Sequence, residues 1–239
     1  MRPKGTILIT GAAKRIGKAL AESLSREGYA IALHYHLSRP QAEDVASAIK
    51  RFKGRVQLFE CDLSDESATQ GLIPRVKKRC PDLKALINNA SVFQPSKIAS
   101  SSMATFHENM AVNFVAPYIL TKQFARHCAR GAIVNILDTH ISGFQSSHAD
   151  YLLSKKALAA LTSLSALELA PHVRVNAIAP GAILPPAGKS GGYMAKRAKQ
   201  IPLRKKGSPD NIAQAALFLL ENNFITGETI FVDGGEHLI

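Results

Sequence analysis

The sequence has no tryptophan, only three cysteines and no hydrophobic run long enough to cross a membrane. Because a transmembrane helix needs about 20 consecutive apolar residues, we expect no membrane span. Cys61, Cys80 and Cys128 are odd in number and far apart, which argues against a disulfide framework and against a zinc site. Residues 1–5 lead directly into a short strand-like run and leave no room for a signal-peptide core, so we expect a cytoplasmic protein without a bound metal.

Acidic side chains are also scarce. The chain has 18 Asp and Glu against 30 Lys and Arg, a formal net charge of +12. Such an excess suits proteins that bind nucleic acid or other anions. The basic residues are spread out, however, with no interleaved aromatic platform and no recognition-helix pattern. The densest group, within 189–206, contains Lys196, Arg197, Lys199, Arg204, Lys205 and Lys206. We interpret it as a solvated surface, with steering of an anionic ligand as the alternative, and we expect no nucleic-acid partner.

Strand-like and helix-like segments alternate along the whole chain. Short apolar runs predict strands at Thr6–Thr10, Ala30–Tyr35, Val56–Cys61, Leu83–Asn88, Ala132–Leu137, Val173–Ala177 and Thr229–Val232. Apolar residues at helical spacing predict helices at Ile16–Arg26, Pro40–Phe52, 66–79, 102–128, 150–170 and 209–221, and Gly28 is placed to end the first of them. Repeated β-α units with nearly continuous apolar strands indicate an α/β protein: a single doubly wound parallel sheet, Rossmann-like, with helices on both faces. We expect residues 1–239 to form one such domain.

The first strand leads into a glycine-bearing turn that opens a helix, Thr10-Gly11-Ala12-Ala13-Lys14-Arg15-Ile16-Gly17. Glycine in such a turn lets the backbone approach a pyrophosphate, and the start of the helix directs its N–H groups at that group. The same pattern also fits an ordinary turn between a strand and a helix, so by itself it does not distinguish the two.

The end of the second strand has no acidic residue, in the segment His34-Tyr35-His36-Leu37-Ser38-Arg39. A carboxylate at this place usually holds the ribose 2′-hydroxyl of NAD. The groups available instead to a 2′-phosphate are Lys14, Arg15, His36, Ser38 and Arg39. Such donors favour a phosphate, so we predict NADPH as the cofactor. After the third strand, Asp62 can either hydrogen-bond an adenine amino group or cap the next helix, a role for which Ser64 competes.

Tyr151 and Lys155 are four residues apart in a predicted helix, so they share one face about one turn apart. An ammonium group near a phenol lowers the pKa of the tyrosine and makes it a usable proton donor and acceptor. Tyr-x-x-x-Lys alone is common and usually inert. Here it accompanies the glycine turn, Asn88-Asn89-Ala90, Asn113 and Pro180-Gly181.

With these motifs the chain resembles the short-chain dehydrogenases/reductases from Thr10 to Gly235. The resemblance implies that Tyr151 is the general acid, that Lys155 binds the nicotinamide ribose and tunes Tyr151, and that Asn113 belongs to a proton relay. The cofactor contacts expected in all are Gly11, Lys14, Arg15, Ile16, Gly17, His36, Ser38, Asp62, Leu63, Asn89, Ala90, Lys155, Pro180, Gly181 and Ile183. Most relatives are tetramers, so the resemblance also implies a homotetramer.

Two departures from the family pattern bear on the substrate. Asp138 stands 13 residues before the tyrosine, where most members carry serine or threonine. An ionised carboxylate cannot donate a hydrogen bond to a developing oxyanion, but it can pair with N–H groups of a heterocycle and relay a proton to a ring nitrogen. Arg15 replaces the middle glycine of the cofactor turn and places a guanidinium group beside the pyrophosphate, facing the active site.

Both departures, with Ser91 and Phe93, resemble the pteridine reductase branch of the family. In that branch the aromatic residue at the Phe93 position sandwiches the pterin against the nicotinamide, and the Ser91, Arg15 and Asp138 positions contact the pterin. The resemblance thus predicts hydride transfer from NADPH to a C=N bond of a pterin or dihydropterin, with Tyr151 and Asp138 supplying the proton. A core position for Phe93 and a purely structural Asp138 are the alternatives.

Two other functions compete with this prediction. A 3-oxoacyl-carrier-protein reductase or other carbonyl reductase would use the basic group to hold an acidic carrier, but Asp138 stands where that chemistry needs a hydroxyl. A non-catalytic scaffold that binds NADPH or RNA would explain the net charge, but it has no need of Tyr151, Lys155 or Asn113. Residues 184–206 lie where the family has its substrate loop. Pro185 replaces a threonine common there, so one carboxamide contact is expected to be missing or supplied by backbone.

Overall fold

The computed structural model describes residues 4–186 and 191–239. Its strands are β1 (Thr6–Ile9), β2 (Ala30–Tyr35), β3 (Val56–Glu60), β4 (Leu83–Asn88), β5 (Gly131–Ile136), β6 (Val173–Pro180) and β7 (Thr229–Val232). Its α-helices are α1 (Arg15–Arg26), α2 (Arg39–Arg51), α3 (Glu66–Arg79), α4 (Met103–Met110), α5 (Ala116–His127), α6 (Ala149–Leu169), α7 (Gly191–Ala198) and α8 (Pro209–Glu221). Within these ranges, no helix combines the length and the apolar character that crossing a bilayer would need.

The strands form one parallel sheet in the order β3-β2-β1-β4-β5-β6-β7. The side chains of the five central strands are nearly all buried because helices cover each face, whereas the edge strands β3 and β7 are only partly buried. In β1, Ile7 and Ile9 pack with α1, α2 and α8, whereas Leu8 packs with α3 and α5 on the other face. The predicted doubly wound, Rossmann-like sheet is confirmed. The strand order reverses between β1 and β4, and this is where parallel sheets leave a crevice for ligands at the carboxyl ends of their strands.

The end of α1 agrees with the expectation for Gly28. Gly28 has a φ of 92°, and its N–H donates to Ser25 O at 3.1 Å, while the N–H of Tyr29 donates to Leu24 O at 3.2 Å. This pair of bonds is the Schellman motif, in which the left-handed residue is most often glycine. The chain therefore turns directly into β2.

The helix predicted over 102–128 is confirmed as continuous helical chain from Met103 to His127, with one irregularity: α4 and α5 are joined by a π-helical turn, Ala111–Val115. Pro117 lies in the first turn of α5 and has no N–H to donate to the carbonyl of Asn113 four residues earlier, so the regular pattern cannot continue through this point. Such π turns are frequent at functional sites. This one contains Asn113.

Two further expectations need correction. The cap of α3 is neither Asp62 nor Ser64 but Asp65, whose side chain accepts the N–H of Ala68 at 3.0 Å. The helix begins at Glu66, so only Asp65 is within reach of its first N–H groups. In the predicted substrate loop 184–206, the structure has helix α7, while residues 187–190 of that loop lie outside the described residues.

Candidate active site

A cavity of about 760 Å³ opens at the carboxyl ends of β1, β4, β5 and β6, where the strand order reverses. One end is lined by the turn after β1 and by the ends of β2 and β3. The other is lined by Asp138, Tyr151 and the segment after β6. We call this space the site cavity. Nearly all predicted site residues line it; Ser38 and Asn113 are the exceptions.

The two glycines of the first turn are held against neighbouring backbone. Gly11 has a φ of 61°, and a Cβ placed there would lie 2.9 Å from the Cα of Ala90. A Cβ on Gly17 would lie 2.2 Å from the Gly11 carbonyl oxygen and 2.6 Å from Nδ2 of Asn89. No larger residue fits either position without a backbone shift, so both glycines are required by the packing of this turn.

Arg15 occupies the left-handed region, with a φ of 54°. That conformation favours glycine, which the family usually has at this position, so the arginine here carries backbone strain. The guanidinium Nη2 of Arg15 donates to the carbonyl oxygen of Pro185 at 2.8 Å. Arg15 thereby links the turn after β1 to the segment after β6, along the edge of the site cavity.

Asn89 and Ala90 fix the turn to the end of β4. The hydroxyl oxygen of Thr10 accepts the N–H of Asn89 at 2.9 Å and that of Ala90 at 3.0 Å. Nδ2 of Asn89 donates to the carbonyl oxygens of Thr10 and Gly11, at 2.8 and 3.2 Å. The Asn89 amide group is therefore engaged in holding the turn that borders the cavity.

The end of β2 places one histidine inside and one outside. His34 is buried, its Nδ1 accepts the N–H of Gly11 at 3.0 Å, and its Nε2 lies 3.0 Å from the carbonyl oxygen of Cys61. Burial lowers the pKa of His34 to about 4, so this ring is neutral and structural. His36 is exposed, and its Nε2 lies 3.8 Å from Oδ2 of Asp62.

The predicted phosphate-binding donors divide into two groups. Lys14, Arg15 and His36 line the site cavity. Ser38 and Arg39 do not line the site cavity. Ser38 immediately precedes α2, and the guanidinium group of Arg39 pairs with Glu43 at 3.1 Å and with Glu60 at 3.9 Å. The contact expected from Ser38 stays a prediction.

Asp62 and Leu63 also line the cavity. The Asp62 carboxylate accepts the hydroxyl of Ser64 at 2.7 Å and its N–H at 2.9 Å. These two bonds lower the pKa of Asp62, so the group is an ionised acceptor at the adenine end of the predicted cofactor site.

Tyr151 and Asp138 are in direct contact at the other end of the cavity. The phenolic hydroxyl donates to Oδ2 of Asp138 at 2.9 Å. Burial, followed by the negative charge of Asp138, raises the pKa of Tyr151 well above its ordinary value. Burial would also raise the pKa of Asp138, but hydrogen bonds from His140 and Tyr151 outweigh it and lower that pKa. The carboxylate is thus ionised and the phenol is protonated.

The expectation that Lys155 lowers the pKa of Tyr151 is wrong for this structure. Nζ of Lys155 donates to the carbonyl oxygen of Ile136 at 2.8 Å and lies 5.7 Å from the centre of the Tyr151 ring. The carboxylate of Asp138, in contrast, touches the hydroxyl itself. The nearer charge dominates because electrostatic interaction weakens with distance.

Lys155 is almost fully buried, at 2% exposure, and burial lowers its pKa from 10.5 to about 8. Below pH 8 Lys155 is charged in both the folded and the unfolded protein, so the folded state carries the whole free-energy cost of burying the ammonium. This cost decreases as the pH rises from 8 towards 10.5, because the folded protein then holds the neutral amine. We expect Lys155→Met to raise the free energy of unfolding at pH 7 by up to roughly 3 kcal/mol.

The gain from Lys155→Met should shrink towards pH 10, which urea unfolding of both proteins at pH 7, 8.5 and 10 would measure. The half-buried Lys156→Met serves as the control, since its ammonium is not fully desolvated: it donates to the carbonyl oxygen of Ile141 and lies 4.4 Å from the centre of the Phe144 ring. A gain independent of pH would contradict the assignment of this cost to Lys155.

Asn113 lies behind the cavity rather than in its wall. It is fully buried, its Oδ1 accepts the N–H of Val92 at 2.9 Å, and its Nδ2 donates to Val92 O at 3.0 Å and to the Ser154 hydroxyl at 3.1 Å. Asn113 thereby holds the segment after β4 against α6, next to Lys155. Its part in a proton relay stays a prediction.

Phe93 is 48% exposed, so the alternative of a core aromatic is wrong. Its ring stacks on His148 with centroids 4.1 Å apart and meets the Tyr151 ring edge-on at 4.7 Å. Ser91 also borders the cavity. Phe93 thus presents an aromatic surface at the cavity rim, beside the Tyr151–Asp138 pair.

The segment after β6 completes the wall with Pro180, Gly181 and Ile183. A Cβ on Gly181 would lie 2.8 Å from Oε2 of Glu236. Oε1 of Glu236 accepts from the guanidinium group of Arg197, whereas its buried Oε2 has no hydrogen-bond partner among the described residues. Glu236 therefore offers a vacant acceptor at the cavity wall.

Sequence reasoning missed four residues that approach this site: His140, His148, Arg197 and Glu236. His140 and His148 flank Asp138 and Tyr151 in the sequence, but no spacing rule assigns them to the site. Arg197 was counted only as part of the basic group. Glu236 follows Gly234-Gly235, and this proximity to a glycine pair is a signal that could have drawn attention to it.

Comparison with known proteins identifies the family. Residues 11–237 match a family described as "Enoyl-(Acyl carrier protein) reductase". Pteridine reductase 1 of Leishmania tarentolae is 32% identical over 276 residues, covering 97% of this chain and 96% of that protein. Granaticin polyketide synthase putative ketoacyl reductase 2 of Streptomyces violaceoruber is 29% identical, covering 97% and 96%.

A solved structure described as FolM Alternative dihydrofolate reductase 1 from Brucella suis in complex with NADP is similarly close. It superimposes with a TM-score of 0.95 at 33% identity, over 100% of this chain and 97% of that one. The matches extend over nearly the full length of both partners and include the turn after β1, Tyr151 and Lys155. The chain therefore belongs to the short-chain dehydrogenase/reductase family and is an oxidoreductase.

Proposed function

We propose that this oxidoreductase transfers hydride from NADPH to a C=N bond of a pterin or dihydropterin. The observation that carries the proposal is the hydrogen bond between Tyr151 and an ionised Asp138 inside the site cavity. A carboxylate at this position offers an acceptor to the N–H groups of a heterocycle, and it offers no donor to a ketone oxygen. Similarity to a pteridine reductase and to an alternative dihydrofolate reductase supports the same substrate class.

The residues at the first turn fit a dinucleotide phosphate. Helix α1 begins at Arg15 with no side-chain cap and no acidic residue in its first turn, so its first N–H groups are available to a pyrophosphate. The close packing at Gly11 and Gly17 keeps that backbone unobstructed. Lys14 and His36 provide positive or polar groups at the ribose end, where a 2′-phosphate would lie, whereas the guanidinium group of Arg15 is bound to the segment after β6.

When bound, the cofactor supplies the hydride; this chain's own residues supply orientation and the proton. Tyr151 keeps its proton at neutral pH because its pKa is raised, so it can donate to a ring nitrogen once its hydroxyl turns from Asp138 to the substrate. Asp138 accepts N–H groups of the pterin. Phe93, exposed at the rim, provides a face on which a flat heterocycle can stack.

A 3-oxoacyl-carrier-protein reductase is the second candidate, favoured by the family description and by the similarity to a ketoacyl reductase. That chemistry uses a second hydroxyl beside the tyrosine to hold the ketone oxygen. The neighbouring hydroxyl here, on Thr139, instead donates to Oδ2 of Asp233 at 2.5 Å. Tyr151 is therefore left with a carboxylate as its partner, which favours the pterin over the thioester.

Steady-state oxidation of NADPH with a substrate panel tests the proposal. Dihydrobiopterin, dihydromonapterin, dihydrofolate and biopterin represent the pterins, and an acetoacetyl thioester represents the second candidate. We expect turnover of at least one pterin and none of the thioester. Reduction of the thioester without turnover of any pterin would reject the proposed function.

Lys14 provides a test of cofactor choice. Its ammonium lines the cavity beside the start of α1, so Lys14→Gln should weaken NADPH binding about tenfold and NADH binding much less. Lys18→Gln is the matched control, because Lys18 lies one turn along the same helix, outside the cavity, and interacts with Glu22. Fluorescence titration with both nucleotides gives the dissociation constants, and equal losses for NADPH and NADH would contradict a phosphate contact.

A further inference from the structure

His140 contacts the Asp138 carboxylate on the side opposite Tyr151. Oδ1 of Asp138 lies 2.9 Å from the backbone N of His140 and 2.7 Å from its ring Nδ1. Since an ionised carboxylate can only accept, both nitrogens donate to it. Oδ2 of the same carboxylate accepts the Tyr151 hydroxyl at 2.9 Å. Asp138 thus bridges an imidazole to the phenol.

The three groups differ in their access to water. Tyr151 is 9% exposed, and the Asp138 side chain is 22% exposed. The His140 side chain, at 35%, is the most open of the three and lines the cavity. A proton that moves from His140 through Asp138 to Tyr151 would therefore travel from the wettest group to the driest one.

Reduction of a C=N bond consumes one proton per turnover, and the buried Tyr151 must regain it from somewhere. In the described part of the chain, neither of the other expected relay groups is hydrogen-bonded to the phenol. Lys155 donates to Ile136 O, and the amide of Asn113 is bound to Val92. The hydrogen-bonded path from Tyr151 runs through Asp138 to His140.

We propose that His140 delivers the proton that recharges the Asp138–Tyr151 pair, an inference that rests on the proposed function for its substrate. Hydride and the Tyr151 proton add across C=N, and the phenolate then takes a proton from Asp138. Asp138 receives that proton at Oδ1 from Nδ1–H of a protonated His140, and a half-turn of the carboxyl group presents it to the phenolate. Neutral His140 is reprotonated by water. His140 acts through Asp138 and is therefore a positioning residue.

Contacts other than the imidazole ring hold the 3-10 turn in place. The backbone N–H of His140, not its ring, provides the capping bond of the 3-10 turn Thr139–Ser142. The same turn is anchored by Thr139 to Asp233 and by Lys156 to the Ile141 carbonyl oxygen. Removal of the ring therefore leaves the turn held at three points.

The charged and titratable groups that face His140 are few. Asp138 is on its own turn, and His148 lies just before α6. Tyr151, Lys155 and Lys156 approach from α6, and Asp233 accepts from the neighbouring Thr139. Of these, Asp138 is the group hydrogen-bonded to the ring.

The test compares His140→Ala and His140→Gln with the wild type, using a pterin that the wild type reduces. Both variants should lose about 100-fold in kcat with little change in KM, because general acid catalysis contributes on that order or more. Glutamine keeps a hydrogen-bond donor but has no proton to transfer, so equal losses separate delivery from structure. Added imidazole should restore part of the activity of His140→Ala. The solvent deuterium isotope effect on kcat of His140→Ala should exceed that of the wild type.

His237→Gln is the matched control. His237 also donates its backbone N–H and its ring Nδ1 to one aspartate, Asp233, at 2.8 Å each, but its ring does not line the site cavity. The activity of the His237→Gln variant should not change when imidazole is added. Wild-type kcat in His140→Gln, or no rescue of a folded His140→Ala, would overturn the proposal.

Failure of the proposed function would be seen separately, in the wild type. If the wild type reduces a carbonyl compound and no pterin, the same variants test His140 on that substrate, since carbonyl reduction also consumes one proton. Independently of turnover, proton NMR should detect a downfield Nδ1–H of His140 that disappears in Asp138→Ala. Its absence from the wild type would overturn the inference whatever the substrate is.

Discussion

Tyr151→Phe should lower kcat for pterin reduction by roughly 100- to 10,000-fold, the range of general acid catalysis, while leaving NADPH affinity nearly unchanged. The reason is that the substitution removes the hydroxyl that donates to Oδ2 of Asp138 and, in our mechanism, to the ring nitrogen. Phenylalanine keeps the ring that packs edge-on against Phe93. Single-turnover measurement of NADPH oxidation at saturating pterin would measure the loss.

The pH dependence of the wild type sharpens this prediction. A tyrosine whose pKa is raised stays protonated through neutral pH and beyond its ordinary value near 10. Deprotonation of Tyr151 should therefore cause no loss of kcat below about pH 10. Lys155, with its pKa near 8, is the group whose loss of charge falls inside the usual assay range. A Tyr151→Phe variant that kept one-tenth or more of wild-type kcat would contradict its role as the proton donor.

Asp138→Ser should lower pterin reduction at least about 100-fold, and it should create or raise activity towards an acetoacetyl thioester. Serine restores the hydroxyl that the rest of the family has, so it can donate to a ketone oxygen and no longer accepts an N–H group as a carboxylate does. The same change removes the carboxylate that accepts from the ring Nδ1 of His140. Steady-state kinetics with both substrates measures the exchange of specificity.

Stability must be separated from specificity in this variant. Serine caps a helix about as well as aspartate, so the 3-10 turn can keep its bond to the N–H of His140 and should lose little stability, which thermal unfolding would check. Asp138→Asn is the matched control, since it keeps the shape and one acceptor oxygen but removes the charge. We expect it to lose pterin activity without gaining thioester activity. A gain in pterin turnover in Asp138→Ser would refute the assignment of this carboxylate to the heterocycle.

Much of the fold follows from local sequence patterns. The apolar runs and helical spacings specify the strands and most helices, because a strand buried on both faces must be apolar throughout. The π turn within the helix over 102–128 does not follow from these spacings; it lies just before Pro117, whose missing N–H interrupts the regular hydrogen-bond pattern. That the whole chain forms a single domain, is a homotetramer and lies in the cytoplasm stays a prediction.

The site divides differently. Tyr151, Asp138, Arg15 and Phe93 were identified from motifs and from departures from a family pattern, and the structure brings all four to one cavity. The contact partners were not accessible in this way. His34 and His36 are two residues apart, yet one is a buried neutral ring and the other is exposed. Residues two apart in a strand share a face, so the pattern does not separate these two rings; β2 ends at Tyr35, just before His36, and burial decides which ring is neutral.

The sequence alone determined that this is a parallel α/β oxidoreductase with an acid-free second strand end and with a carboxylate where relatives have a hydroxyl. These are properties of residue type and order. Only the tertiary structure decided that burial and the Asp138 carboxylate raise the pKa of Tyr151, with no lowering by Lys155, and that His140 touches the same carboxylate. Proton affinity depends on distances of a few ångströms and on burial, and both arise only when segments far apart in the chain pack together.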